Sequence, residues 1–311
     1  MTFDPVVLFF LLGILAGVAR SDLKIPASIY EALSIYLLLA IGLKGGVELA
    51  RHPLGSMVVP SLAVIALGAV LPLLAFPVLH RIGRLPRPDA ASIAAHYGSV
   101  SVVTFAVGAS YLSRLGVPYE GYTTVFLALM EAPAILVGVL LARGAGGSAH
   151  WGELLREVVL GKSVFLLLSG LLVGWIAGPE GIKPMAAFFF DPFKGVLALF
   201  LLEMGLVTSA RLGDLKRVGP FLLGFAIAMP LAGAAAGTAV GMLLGLSPGG
   251  TTLLAVLAAS ASYIAAPAAM RLAVPEANPA LSIGASLGVT FPFNIFVGIP
   301  LYHWTAKSLG A

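Results

Sequence analysis

Two stretches of the chain set polar residues in the middle of apolar runs. His96-Tyr97-Gly98-Ser99-Val100-Ser101-Val102-Val103-Thr104 joins a histidine, a glycine, two serines and a threonine to a β-branched run. Ser260-Ala261-Ser262-Tyr263-Ile264-Ala265-Ala266-Pro267 repeats the pattern and adds a proline. Both read as helices interrupted part-way. Pro267 lacks an N–H and crowds the carbonyl four residues back, so the Tyr263 carbonyl is expected to be free to meet a cation. Where a helix restarts after a break, its first N–H groups have no intrahelical acceptor and its dipole presents positive charge. Two restarts facing each other would hold a small anion without a buried Lys or Arg, and neither residue falls near the centre of any apolar run. For either stretch alone, the plainer role of its small residues is close helix packing.

Other side chains could add coupling chemistry. Glu131 lies near the centre of its apolar run, with Pro133 two residues on. A bare carboxylate at mid-membrane costs about 2.5 to 3.5 kcal/mol on insertion scales, so it must face a cavity, bind a cation, or carry a proton and bond to a neighbouring helix. His96 could shuttle a proton near neutral pH or simply pack through hydrogen bonds. Glu203 either couples a proton or pairs with Arg211. Thr290 and Asn294 offer neutral oxygens for sodium, although Asn294 could instead mend backbone kinked by Pro292. The candidate set is Gly98, Ser99, Ser101, Thr104, Ser260, Ser262 and Tyr263 for an anion. Glu131, Thr104, Tyr263 and Asn294 are the candidates for sodium, and His96 and Glu203 for proton coupling. No nucleotide, haem or metal-cofactor motif is present, nor a spaced Ser-His-Asp set, and the absence of cysteine excludes disulfides, thiolate nucleophiles and iron–sulfur ligation.

These residues need a membrane to position them. Of 311 residues 59% are apolar and only 10% charged, against about 25% charged in a soluble domain. The net charge of +4 would suggest nucleic acid in a soluble protein, but the basic residues sit in the joints between apolar runs, which excludes that partner in favour of the lipid bilayer. Ten runs are expected to span it, near 5–19, 27–43, 55–79, 88–113, 120–143, 157–177, 187–208, 218–244, 250–272 and 278–306. The first run lacks a basic leader and a cleavage site, so it reads as a span and not a removed signal peptide, with the mature chain starting near Met1. Twelve of the 18 Lys and Arg fall in the joints after spans 1, 3, 5, 7 and 9. The positive-inside rule then puts those joints in the cytoplasm of an inner-membrane protein and both termini outside.

The halves resemble each other. Ile41-Gly42-Leu43 resembles Met204-Gly205-Leu206, Tyr97-Gly98-Ser99-Val100-Ser101 resembles Ala259-Ser260-Ala261-Ser262, Gly116-Val117-Pro118 resembles Ala273-Val274-Pro275, and Val137-Gly138 resembles Val297-Gly298. Five spans per half force the second copy upside down. The expected fold is an all-α membrane protein of ten transmembrane helices, a 5+5 inverted repeat with residues 1–145 and 157–311 as its halves and 146–156 as a cytoplasmic linker. Such repeats are a hallmark of secondary transporters.

At the two interrupted stretches the chain resembles a known family. His96 to Val107, then Gly116-Val117-Pro118-Tyr119-Glu120 and Leu129-Met130-Glu131-Ala132-Pro133-Ala134, are similar to the sodium-dependent bicarbonate permeases of cyanobacteria. In the second half Ala258 to Ile264, Pro267, Arg271 and Val274-Pro275-Glu276-Ala277-Asn278-Pro279 agree with them. The resemblance implies a gate domain of spans 1, 2, 6 and 7 and a core of spans 3–5 and 8–10. It further implies bicarbonate held where spans 4 and 9 cross, sodium beside it as coupling ion, and a homotrimer. Glu131 stands where cyanobacterial members carry Asp, Tyr263 also stands where they carry Asp, and Val102-Val103-Thr104 replaces a Gly-Ser-Thr stretch. The joint near Gly144 to Trp151 is shorter than their cytoplasmic loop, which leaves a PII-like regulator open. Other open readings are a same-fold carrier of another small carboxylate, coupled to sodium or protons, and a membrane sensor that binds an anion without moving it.

Overall fold

A computed structural model describes residues 5–144, 152, 156, 159–211 and 215–310. All regular structure among them is helical. The linker 146–156 lies outside the described residues apart from Gly152 and Arg156. Eight helical segments are long and apolar enough to cross a membrane, and two shorter apolar helices, Pro5–Val18 and Pro248–Ala259, accompany them. The protein is therefore a multi-pass membrane protein.

Helices α1 (Pro5–Val18), α2 (Ala27–Leu49) and α3 (Val58–Pro77) come first. Next are α4 (Arg87–Gly98), α5 (Val102–Arg114) and α6 (Thr123–Arg143). The second half holds α7 (Lys162–Ile182), α8 (Phe193–Arg211), α9 (Leu215–Leu243), α10 (Pro248–Ala259) and α11 (Ala265–Ala273). It closes with α12 (Pro279–Ser308). The expected run at 88–113 is thus α4 and α5, and that at 250–272 is α10 and α11. Wide π turns follow Pro77 at Val78–Ile82 and flank Pro292 at Ser286–Thr290 and Asn294–Gly298. A proline that cannot donate to the helical ladder is a common cause of such turns.

Two pairings organise the helices: α2 lies along α7, and α1 along α8. Glycines allow both approaches. A Cβ on Gly42 or Gly46 would collide with the carbonyls of Leu167 or Leu171 on α7, and one on Gly205 with the Phe10 carbonyl on α1. Backbones packed this closely replace the hydrophobic drive that lipid cannot supply. The remaining helices form a second group, with α3, α4 and α6 in mutual contact and α10 packed on α9 and α12. The segment Arg87–Arg114 is buried along its whole apolar window. Irregular backbone at membrane depth requires such a protein surrounding.

Candidate functional site

Both interruptions occur where the glycine and serine pattern places them. After Gly98 the chain turns extended at Ser99 (φ −79°, ψ 157°) and restarts as α5 behind Ser101. After Ala259 it turns extended at Ser260 (φ −82°, ψ 163°) and restarts as α11 at Ala265. Pro267 falls in the first turn of α11, where its missing N–H forfeits no intrahelical bond.

The two breaks bind each other directly. Ser262 N–H donates to the His96 carbonyl at 2.8 Å, and Ser101 N–H donates to Ser260 Oγ at 2.9 Å. Ser260 Oγ in turn donates to the Leu257 carbonyl at 2.8 Å. Ser101 caps α5, its Oγ accepting from Thr104 N–H at 3.1 Å, and Ser262, two residues before the N-cap of α11, accepts from Ala266 N–H at 3.2 Å. A serine cap such as Ser101 contributes about 1 kcal/mol.

Ser101 Oγ also accepts from Thr104 Oγ1 at 2.9 Å and donates to Tyr263 Oη at 3.2 Å. Its two lone pairs and its proton are then all committed. The relay runs from Thr104 through Ser101 to Tyr263, and leaves the phenolic proton of Tyr263 to be given onward. Thr104 and Ser101 therefore orient Tyr263.

Beside this relay is a cavity of about 10 Å³, lined by Val100, Ser101, Val102, Glu131, Ser163, Ser262, Tyr263 and Ile264. That is room for one water-sized occupant. Glu131 is 1% exposed and its Oε2 has no hydrogen-bond partner. A buried carboxylate oxygen without a partner is costly, and a proton or a small cation would satisfy it. The same space is lined by Tyr263, whose phenol has a proton to give, by Val102 of the first turn of α5, and by the break residues Ser101, Ser262 and Ile264. Negative and positive surfaces thus share one small space.

Of the residues named from the sequence, Ser101, Ser262, Tyr263 and Glu131 meet at this cavity, and Thr104 and Ser260 brace it from behind. Gly98 serves packing, since a Cβ there would collide with the Pro72 ring. Ser99 is fully buried with an unpartnered hydroxyl, and does not line the cavity. His96 Nδ1 lies 2.7 Å from the Ser92 carbonyl, and since a carbonyl only accepts, Nδ1 carries the proton. Nε2 is buried without a partner. Asn294 is engaged elsewhere, donating to the Ala259 carbonyl at 2.9 Å and accepting from Tyr302 Oη at 2.8 Å. It thereby ties the end of α10 to α12. Thr290 donates to the Ala226 carbonyl at 2.6 Å, so its 2.7 Å contact with Tyr97 is one it accepts. Glu203 on α8 has a buried, unpartnered Oε2 but does not line the cavity, and the Arg211 side chain lies outside what is described.

Ser163, 4% exposed on α7, was missed. It lies one residue past the charged Lys162 at a helix start, and nothing local marks it as facing Glu131 from another helix.

Residues 5–307 match the family model of the Na+-dependent bicarbonate transporter superfamily. The chain belongs to that superfamily. No curated protein shows a significant match to it. Membership covers nearly the whole chain, so the interrupted helices and the Glu131 cavity lie inside the matched region. A member of the Na+-dependent bicarbonate transporter superfamily is a transport protein and not an enzyme. The superfamily's description names sodium and bicarbonate.

Proposed function

We propose that the protein is a secondary active importer that moves bicarbonate with sodium by alternating access, using the crossing of α4/α5 with α10/α11 as its site. The observation that carries the reading is the meeting of two helix restarts with the unpartnered carboxylate of Glu131 in one small cavity. The restarts take the anion, and Glu131 with the Tyr263 oxygen takes sodium. No bond is made or broken; one group of helices carries the site past the other.

Ten crossings and an inverted 5+5 arrangement belong to this reading, and reciprocal contacts support them. Glu120, in the loop after α5, accepts from Ser247 N–H at 2.8 Å and Ser247 Oγ at 3.0 Å at the start of α10. Asn278, in the loop after α11, donates its N–H at 2.7 Å to Asp89 at the start of α4. Each half thus holds the leading end of the other half's interrupted helix. The glycine contacts are likewise reciprocal, Gly42 of α2 against Gly170 of α7 and Gly205 of α8 against Gly13 of α1. The pairs α2–α7 and α1–α8 form the gate, and the remaining helices the core. The charge distribution supports an inner-membrane protein with both termini extracytoplasmic.

Ser262 tests the anion site. Asn and Asp each carry a short side-chain oxygen able to accept from Ala266 N–H as Ser262 Oγ does, so Ser262→Asn and Ser262→Asp should both fold. The added negative charge should abolish bicarbonate uptake only in Ser262→Asp. Equal uptake by the two variants would remove the anion from this crossing. The buried, unpartnered His96 Nε2 and Glu131 Oε2 favour one alternative, proton-coupled transport of a small carboxylate. Uptake that follows a proton gradient and ignores sodium would select it.

A further inference from the structure

A cavity of about 520 Å³, open to one face, lies between α2, α5 and the elbow Pro179–Lys194 that joins α7 to α8. It is far larger than any bicarbonate-sized ion, and its wall carries Lys44, Arg51, Lys183 and Lys194 against a single acidic residue, Glu48. Glu48 is already bound to Arg51 at 2.9 Å. Only six Lys and Arg of this chain lie on the joints of this face, and four of them border one cavity. Chance scatter around the rim of ten helices does not favour that.

The cavity also leads toward the site. Ile41 and Ala106 line both it and a second, narrow void of about 10 Å³. That void is walled by apolar side chains, among them Leu37, Val103 and Phe200. Val102 and Ile264 line both this neck and the Glu131 cavity. Basic chamber, apolar neck and site therefore follow one another along α5.

We propose that the basic chamber is an anion-collecting antechamber: it concentrates small anions by charge alone, bicarbonate and chloride alike, while selection takes place beyond the neck. Low-dielectric walls lined by one sign of charge focus the field and raise local counter-ion concentration. The role of the collected anion rests on the transport reading above; the electrostatic character of the chamber does not.

The absence of cysteine permits a test that reads the chamber separately from transport. Ser113 is exposed on the chamber wall, and Ser113→Cys gives the full-length protein a single thiol there. Its modification rates with an anionic and a cationic methanethiosulfonate are compared in detergent at low salt. A charge about 10 Å away in water alters each reagent's local concentration about twofold, in opposite directions. Adding Lys183→Gln and Lys194→Gln should therefore lower the anionic-to-cationic rate ratio about 16-fold. Any change in thiol ionisation affects both reagents equally and cancels. Molar salt should lower the ratio in the parent, and lower it less in the double variant, which keeps Lys44 and Arg51. In vesicles the double variant should raise the KM for bicarbonate and leave kcat unchanged. An unaltered rate ratio overturns the proposal, and so does a lowered ratio with an unaltered KM. If the parent shows no bicarbonate uptake, the transport reading fails, and the thiol ratio still decides whether the chamber gathers anions.

Discussion

Replacing Glu131 by Gln keeps the shape of the side chain and removes its charge, and this separates a cation ligand from a packing residue. Glu131 Oε2 lacks a partner and faces a space for one small occupant. A unit charge about 4 Å from a sodium ion attracts it by about 4 kcal/mol at the effective dielectric of 20 that suits protein sites. The amide oxygen of Gln still coordinates, and the cost of burying the carboxylate is relieved. About half of the attraction, ~2 kcal/mol, should then appear as lost affinity, which is about a 30-fold rise in half-saturating sodium. The assay is initial bicarbonate uptake into proteoliposomes against external sodium, beside a melting curve of each variant in detergent. Glu131→Asp keeps the charge and withdraws it by one methylene, so its shift should stay below tenfold. Unchanged half-saturating sodium in Glu131→Gln, with normal melting, would refute the assignment of Glu131 to the cation.

Perturbations at three further positions test the scaffold. Gly46→Leu forces apart α2 and α7, because even a Cβ there meets the Leu171 carbonyl; overpacking of this kind costs about 1 to 3 kcal/mol and should lower the melting temperature. Gly224→Ala, at a position with no heavy atom within 4 Å of the added carbon, should melt within error of the parent. Glu120→Ala removes two hydrogen bonds to a carboxylate at the start of α10. Such bonds contribute about 1.5 to 3 kcal/mol each, so melting and uptake should both fall, and Glu120→Gln should recover part of each.

Much of this architecture is legible in the sequence because lipid simplifies the code. Helices must satisfy their own backbone in hydrocarbon, so apolar runs bounded by charge locate the helices to within a few residues: the run expected at 5–19 is Pro5–Val18, and that at 278–306 is Pro279–Ser308. Gly, Ser and Pro inside such runs mark the interruptions, and both fall at the named serines. A carboxylate at mid-span marks Glu131.

Partners contributed by another helix are not legible in this way. Ser163 reaches the Glu131 cavity because α7 also packs against α6 and α11. Asn294 carries the donor and acceptor of a neutral ion ligand, yet the Ala259 carbonyl and the Tyr302 hydroxyl occupy both. Ser101 has the chemistry to touch an anion, but its three hydrogen bonds commit it to holding Tyr263 and Thr104. Gly98 is small because the Pro72 ring lies against it. In each case residue type sets what a side chain is able to do, and tertiary contacts decide what capacity is left.

The most direct test of sodium-coupled bicarbonate uptake is accumulation of labelled bicarbonate in proteoliposomes with and without an inward sodium gradient. Concentrative uptake that appears with the gradient and collapses when sodium is equalised is the expected result. Uptake indifferent to sodium, or none in vesicles containing folded protein, would contradict it.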